Sequence, residues 1–365
     1  MGAGRCVMFV FRFHNWQIPV RLADVLGHGR NTVTMAVQWS RQPGGIAPLG
    51  QDMHYCTTSS KTIRGCGNRA APDEYEEGMQ TETAAFFDDA TNTVSYLVRD
   101  GETDSCAVVD SVLDFDFASG RTSTASADRI VEAITSRRLK LEWILESHVH
   151  ADHLSAAPYI QQQLGGQIGI GGNVTVVQDK FGKIFTEGTE FDRDGSQFDR
   201  LFREGDRFRI GKLDCSVLET PGHTPACLTY VIGDAAFVGD TMFMPDFGSA
   251  RADFPGGSAG DLFDSIQKIL SLPDDTRIFV GHDYKAPGRN EFAWETTVGE
   301  QKEKNVHFGG GRSREEFVRL RTERDRTLSM PELIIPSIQV NMRAGNMPEK
   351  DEHGRTFLKV PVDSL

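Results

Sequence analysis

Four residues within six positions of the stretch "LESHVHADHLSA", His148, His150, Asp152 and His153, offer imidazole nitrogens and a carboxylate to a metal ion or a proton. Their setting recurs further along the chain. His223 in "ETPGHTPA", Asp240 in "FVGDTMF" and His282 in "FVGHDY" each follow a short apolar run, as the first four follow "LEWILE". A single histidine after a strand is most often a satisfied polar group. A placement repeated this often is different, because the ends of strands are where loops carry function over a rigid scaffold. Imidazole and carboxylate together suit zinc, iron or manganese, and the absence of cysteine from the set argues against a purely structural zinc site.

Elements able to hold these residues are readable around them. "TVSYLV" and "CAVVDS" read as strands joined by the turn "RDGETD", and "SADRIVEAITSRRL" as an amphipathic helix opened by Ser126 as N-cap. "LEWILES" is a strand ending at His148, and "SAAPYIQQQLGG" a helix stopped by its glycine pair. "RFRI", "LDCSVLET", "LTYVIG", "AAFVG" and "TRIFVG" read as short strands, with "AGDLFDSIQKILSL" as a helix before the last. Strands mixed with helices predict stacked sheets with helices outside. The glycine-rich "LGGQIGIGGN" lies after a helix, lacks the strand-GxGxxG-helix order and reads as a helix-to-strand turn.

Composition sets the broad class. The 365 residues can bury a core without disulfide help. A formal net charge of -13 disfavours nucleic acid as a partner. Six cysteines with no CxxC pair fit a reducing compartment, so the expected location is cytoplasmic. No apolar run approaches the ~18 residues a bilayer requires. Residues 1–78 differ from the rest: eight Lys and Arg against six Asp and Glu, half of the cysteines (Cys6, Cys56, Cys66) and no sustained period. They are expected to lie outside the fold, as an extension upstream of a start near Met79. A mitochondrial targeting segment is the competing reading, since residues 1–51 hold five Arg and one acid, Asp24, although serine is scarce. The catalytic domain is then residues 79–365.

HxHxDH followed by GH-T, GD-T and GH-D loops resembles the metallo-β-lactamase superfamily, over roughly Asn92 to Tyr284. The resemblance implies an α/β fold, the four-layer αβ/βα sandwich, with metals at the edge of two sheets. In the two-metal form His148, His150 and His223 would hold one ion, Asp152, His153 and His282 the second, with Asp240 between. "GHDYKAPG", "ARADFPGG" and "VNMRAG" further resemble the persulfide dioxygenases, a glutathione-linked branch near glyoxalase II. That resemblance implies one Fe(II) per subunit on His148, His223 and Asp240, a 2-His-1-carboxylate face with open positions for dioxygen and a substrate sulfur. His150, Asp152, His153 and His282 would then orient ligands or water by hydrogen bonds. The implied reaction oxidises the sulfane sulfur of glutathione persulfide with O2 and water to sulfite and glutathione.

Arg251 matches the branch's substrate arginine and Tyr284 its tyrosine, and Arg343 is a further candidate for glutathione's carboxylates. The alternative is a glyoxalase II-type hydrolase of glutathione thioesters with two Zn, Fe or Mn ions, since all seven ligands of that site are present. A noncatalytic scaffold and a nucleic-acid processing enzyme fit the motifs and the charge less well. An insertion around residues 178–198 and the extended segment after "WETTVGEQ" resemble a longer bacterial subtype, and a homo-oligomer, a dimer, is expected. Cys215 and Cys227 read as small buried thiols.

Overall fold

The computed structural model describes residues 8–13, 16–21 and 81–363. The chain divides into two compact units, Met1–Pro72 and Asp73–Leu365. In the first, β1 (Met8–Phe13) pairs antiparallel with β2 (Trp16–Arg21). This hairpin was not expected from an unpatterned segment; both strands are rich in the β-branched and aromatic residues that favour extended chain. The expected start at Met79 lies outside the described residues.

The second unit holds two six-stranded sheets. One runs in the order β11 (Arg200–Phe202), β10 (Gln167–Gly171), β8 (Lys140–Leu145), β5 (Ser105–Val109), β4 (Thr93–Asp100), β3 (Thr81–Asp88). The other runs β12 (Arg207–Ile210), β13 (Leu213–Glu219), β14 (Leu228–Ile232), β15 (Ala235–Phe237), β16 (Arg277–Phe279), β17 (Glu295–Thr297). Three short strands, β6 (Val112–Asp116), β7 (Arg121–Ser123) and β9 (Leu154–Ser155), form a separate small sheet.

The period-2 geometry of a strand explains the layering. On β4, Val94, Tyr96 and Val98 point between the two sheets, where they meet Val217, Tyr230, Phe237 and Phe279, while Leu97 points to the opposite face. On that outer face lie α1 (Ala125–Ser136), α2 (Ala157–Leu164), α3 (Val174–Ile184) and α7 (Ile334–Asn341), burying Ile130, Ile160, Val177 and Ile338. The second sheet is covered by α4 (Ala259–Leu270), α5 (Val298–Lys304) and α6 (Arg314–Asp325), through Leu262, Ile266, Val298 and Phe317. Helix, sheet, sheet, helix is the expected four-layer sandwich. Sheet strands buried on both faces read as unbroken apolar runs, which is why "AVV" and "WIL" show no alternation.

Local details differ from expectation. The N-cap of α1 is Thr124, whereas Ser126 donates its hydroxyl to Asp114 at 2.7 Å, a bond to another element that sequence cannot reveal. The glycine-rich stretch ends α2 and then forms β10, which leads through Asn173 into α3. The insertion around residues 178–198 therefore begins as helix. Cys106, Cys215 and Cys227 are buried and unpaired, and burial pushes each thiol up to about 12. Among the described residues no helix is long and apolar enough to cross a membrane.

Candidate metal centre

All the motif residues leave the carboxyl ends of strands at one edge of the sandwich. His148, His150, Asp152 and His153 follow β8, His223 follows β13, Asp240 follows β15 and His282 follows β16. The two sheets are tied together at this edge, where the Val94 amide donates to Gly281 O at 2.8 Å and the Tyr230 hydroxyl to Glu146 O at 2.9 Å. Gly222 places His223: its φ of +142° and its approach to the backbone of Leu262 leave no room for a side chain.

His148, His223 and Asp240 form one buried cluster, with a donor atom from each lying within 4.8 Å of the others. His148 Nδ1 is engaged by the Ser147 hydroxyl at 2.9 Å, and its Nε2 is buried without a hydrogen-bond partner. His223 uses Nδ1–H to donate to Arg251 O at 2.8 Å, which leaves Nε2, 3.8 Å from Asp240 Oδ2, as the free nitrogen. Burial pushes the pKa of both imidazoles down, holding them neutral and ready to donate a lone pair. An orphaned buried nitrogen beside a second neutral imidazole and a carboxylate is a donor set that fits a divalent metal.

The other four motif residues differ in kind. Burial works against charge on His282, but Asp240, Tyr284 and Asp152 together outweigh it and the pKa rises well above its ordinary value. Its Nδ1 lies 2.7 Å from Asp240 Oδ1 and its Nε2 2.6 Å from Asp152 Oδ2, so the imidazolium links the two carboxylates. His150 Nε2 lies 3.1 Å from Asp110 and 3.2 Å from Glu146, and these carboxylates together raise its pKa against the effect of burial. His153 Nδ1 faces Asp152 at 3.2 Å. His150 Nδ1 and His153 Nε2 remain unpartnered, and His150, Asp152 and His153 form a second possible ligand group.

A cavity of about 1030 Å³ opens over this edge, and Asp152, His153, His223, Asp240, Arg251 and Tyr284 are on its wall. Tyr284 stacks on His282 with ring centroids 5.7 Å apart and planes 1° from parallel. Arg251 reaches the cavity, but its fork is occupied: Nε and Nη2 meet Asp253 at 2.6 and 2.8 Å, and Nη1 donates to Ser329 O. Arg343, the further substrate-binding candidate, lies elsewhere. It does not line the cavity; its guanidinium pairs with Glu187 at 2.7 Å and covers the Phe191 ring, both supplied by the insertion.

Sequence reasoning missed several residues. In "NMRAG" the residue that touches the site is Asn341, whose Nδ2 donates to His150 O at 2.9 Å and His153 O at 2.7 Å while Oδ1 accepts from the Ser155 amide. Asp110 ends an apolar strand as the ligands do, so the strand-end rule could have found it. It accepts from the Ser147 amide at 2.7 Å and has a left-handed φ of 52°. Arg121 and Arg324 also line the cavity, and among the described residues neither has an ion-pair partner.

The sequence pattern of the metallo-beta-lactamase superfamily matches residues 88–282. A probable metallo-hydrolase of Burkholderia pseudomallei (strain 1710b) is 51% identical over 290 residues, 77% of this chain and 98% of that protein. Glyoxylase B2 of Dictyostelium discoideum is 46% identical over 275 residues, 75% of this chain and 94% of that one. The mitochondrial persulfide dioxygenase ETHE1 of Mus musculus is 28% identical over 290 residues, 79% and 97% of the two chains. In the solved structures, ETHE1 from Myxococcus xanthus matches with a TM-score of 0.58 and 29% identity, over 73% of this chain and all of that one. The protein belongs to the metallo-beta-lactamase superfamily and has its fold, with a buried histidine and aspartate cluster able to hold metal.

Proposed function

We propose that the protein is an Fe(II)-dependent dioxygenase that oxidises the sulfane sulfur of glutathione persulfide to sulfite, releasing glutathione. The carrying observation is the separation of roles within the motif. His148, His223 and Asp240 converge as two neutral imidazoles and one carboxylate, whereas His282 has both ring nitrogens within hydrogen-bond distance of carboxylates, Asp240 at 2.7 Å and Asp152 at 2.6 Å. Fe(II) on this trio would supply the redox capacity to engage dioxygen and a soft anionic sulfur at its open positions.

The chain's own residues complete the site. Phe243, Phe247 and Phe254 give the cavity apolar walls beside the ligands, which lower water access to a reactive sulfur. Arg121 and Arg324, free of acidic partners among the described residues, suit the two carboxylates of a glutathione moiety. The exposed edge of Tyr284 offers a hydroxyl on the same wall. The ETHE1 relatives support this reading.

A second reading is a two-metal thioester hydrolase, favoured by the unpartnered His150 Nδ1 and His153 Nε2 and by the hydrolase and glyoxylase names of relatives with greater identity. Metal counting separates the two. The dioxygenase reading expects one iron per chain, retained in His153→Ala and lost in His223→Ala. Two ions per chain, with one lost in His153→Ala, support the hydrolase.

A further inference from the structure

His223 depends on a carbonyl, and that carbonyl is held from outside the site. Arg251 O, which accepts the His223 Nδ1–H bond, belongs to the loop between residues 249 and 253. The residues on either side of Arg251 are fastened by one ion pair on α6. Arg321 Nη1 donates to Ser249 O at 2.9 Å, and Asp325 Oδ2 accepts from the Ala252 amide at 3.0 Å. The two side chains meet through Arg321 Nε and Nη2, 2.8 and 2.6 Å from Asp325 Oδ1, and are 1% and 5% exposed.

A buried ion pair is a poor source of stability, because desolvation offsets much of its attraction. Here it does something packing would not do: it presents one donor and one acceptor to two peptide groups that bracket Arg251. A peptide carbonyl can only accept, so its position fixes the proton of His223 on Nδ1. The Nε2 lone pair is thereby directed at the cluster. The helix has other anchors. Ser313 and Glu316 form a capping box, Phe317 packs on Phe263 at 5.4 Å, and Arg314 pairs with Asp264 at 3.0 Å.

We propose that Arg321 and Asp325 are positioning residues for the metal centre, acting through the Arg251 carbonyl on the tautomer and orientation of His223; this rests on the reading that His223 is a metal ligand. Neither residue touches the metal cluster.

The test is Co(II) titration of the full-length protein, followed by its visible absorption and by affinity. Arg321→Lys and Asp325→Asn are expected to weaken Co(II) binding about tenfold and to shift the absorption bands. Arg314→Ala, which breaks an exposed pair on the same helix, leaves both unchanged. The paired variant Arg321→Met with Asp325→Leu replaces the charges by packing and is expected to keep the circular dichroism while weakening cobalt equally. Folded variants with wild-type affinity and spectrum, alongside a His223→Ala protein that has lost cobalt, overturn the inference and leave the site reading standing. Wild-type cobalt binding by His223→Ala overturns both.

Discussion

Asn341 and His153 stand 188 residues apart in the chain, yet the Asn341 side-chain amide donates to the His153 carbonyl at 2.7 Å. The same nitrogen reaches His150 O and the Asn341 oxygen accepts from Ser155, so one side chain on α7 clamps the loop that carries four motif residues. Backbone groups buried here have no water to replace a lost partner. Asn341→Ala should therefore destabilise the protein by about 3 kcal/mol, through two carbonyls and an amide left unmet. Thermal melting checks this, and Asn341→Asp, which keeps the acceptor alone, should fall between the two.

Arg324→Ala should raise KM for a glutathione substrate about tenfold or more with kcat little changed, the loss of one charged contact. Steady-state kinetics on the loaded enzyme read it directly. The guanidinium on the cavity wall, without an acidic partner among the described residues, motivates the prediction.

Tyr284→Phe keeps the ring on His282 and removes the hydroxyl. Iron content should be unchanged and kcat/KM should fall about fivefold to tenfold, the scale of one neutral hydrogen bond. A fall in iron content instead would assign the hydroxyl to holding the centre together.

His307 supplies a pH test of the loop that carries Arg251. Its Nδ1 accepts the Ser249 amide hydrogen at 2.9 Å, and burial pushes its pKa down to about 4, with nearby arginines adding to the shift. The unfolded chain binds this proton more readily than the folded one. The stability tied to neutral His307 is thus fully present above pH ~6.5 and is lost as pH falls from there to about 4, by an amount on the order of 3 kcal/mol. Urea unfolding at pH 7.5 and 5 should show about 2 kcal/mol of that loss in the wild type and a smaller one in His307→Gln.

The candidate cluster of His148, His223 and Asp240 was legible because each residue ends an apolar strand, and the fold class followed from strands and helices that sequence periodicity exposes. Arg251, the substrate-arginine candidate, lies on the cavity wall, but its pairing with Asp253 is set by side-chain direction, which spacing does not give. The place of Arg343 was hidden for a related reason: the insertion that binds it, through Glu187 and Phe191, lies more than 150 residues away in sequence. Asn341, Arg121 and Arg324 reach the site only because α7, the β6–β7 hairpin and α6 converge in three dimensions. No local pattern marks Arg121 or Arg324, and "VNMRAG" does not by itself tell which of its residues faces the site.

Oxygenase chemistry on a single iron is what the proposed function stands on. Anaerobically iron-loaded protein, given glutathione persulfide and then dioxygen, tests it most directly with an oxygen electrode and a sulfite assay. Dioxygen uptake matched by sulfite is expected, abolished in His148→Ala, His223→Ala and Asp240→Ala. No dioxygen uptake by the iron-replete protein, together with hydrolysis of S-lactoylglutathione by the same preparation, would contradict it.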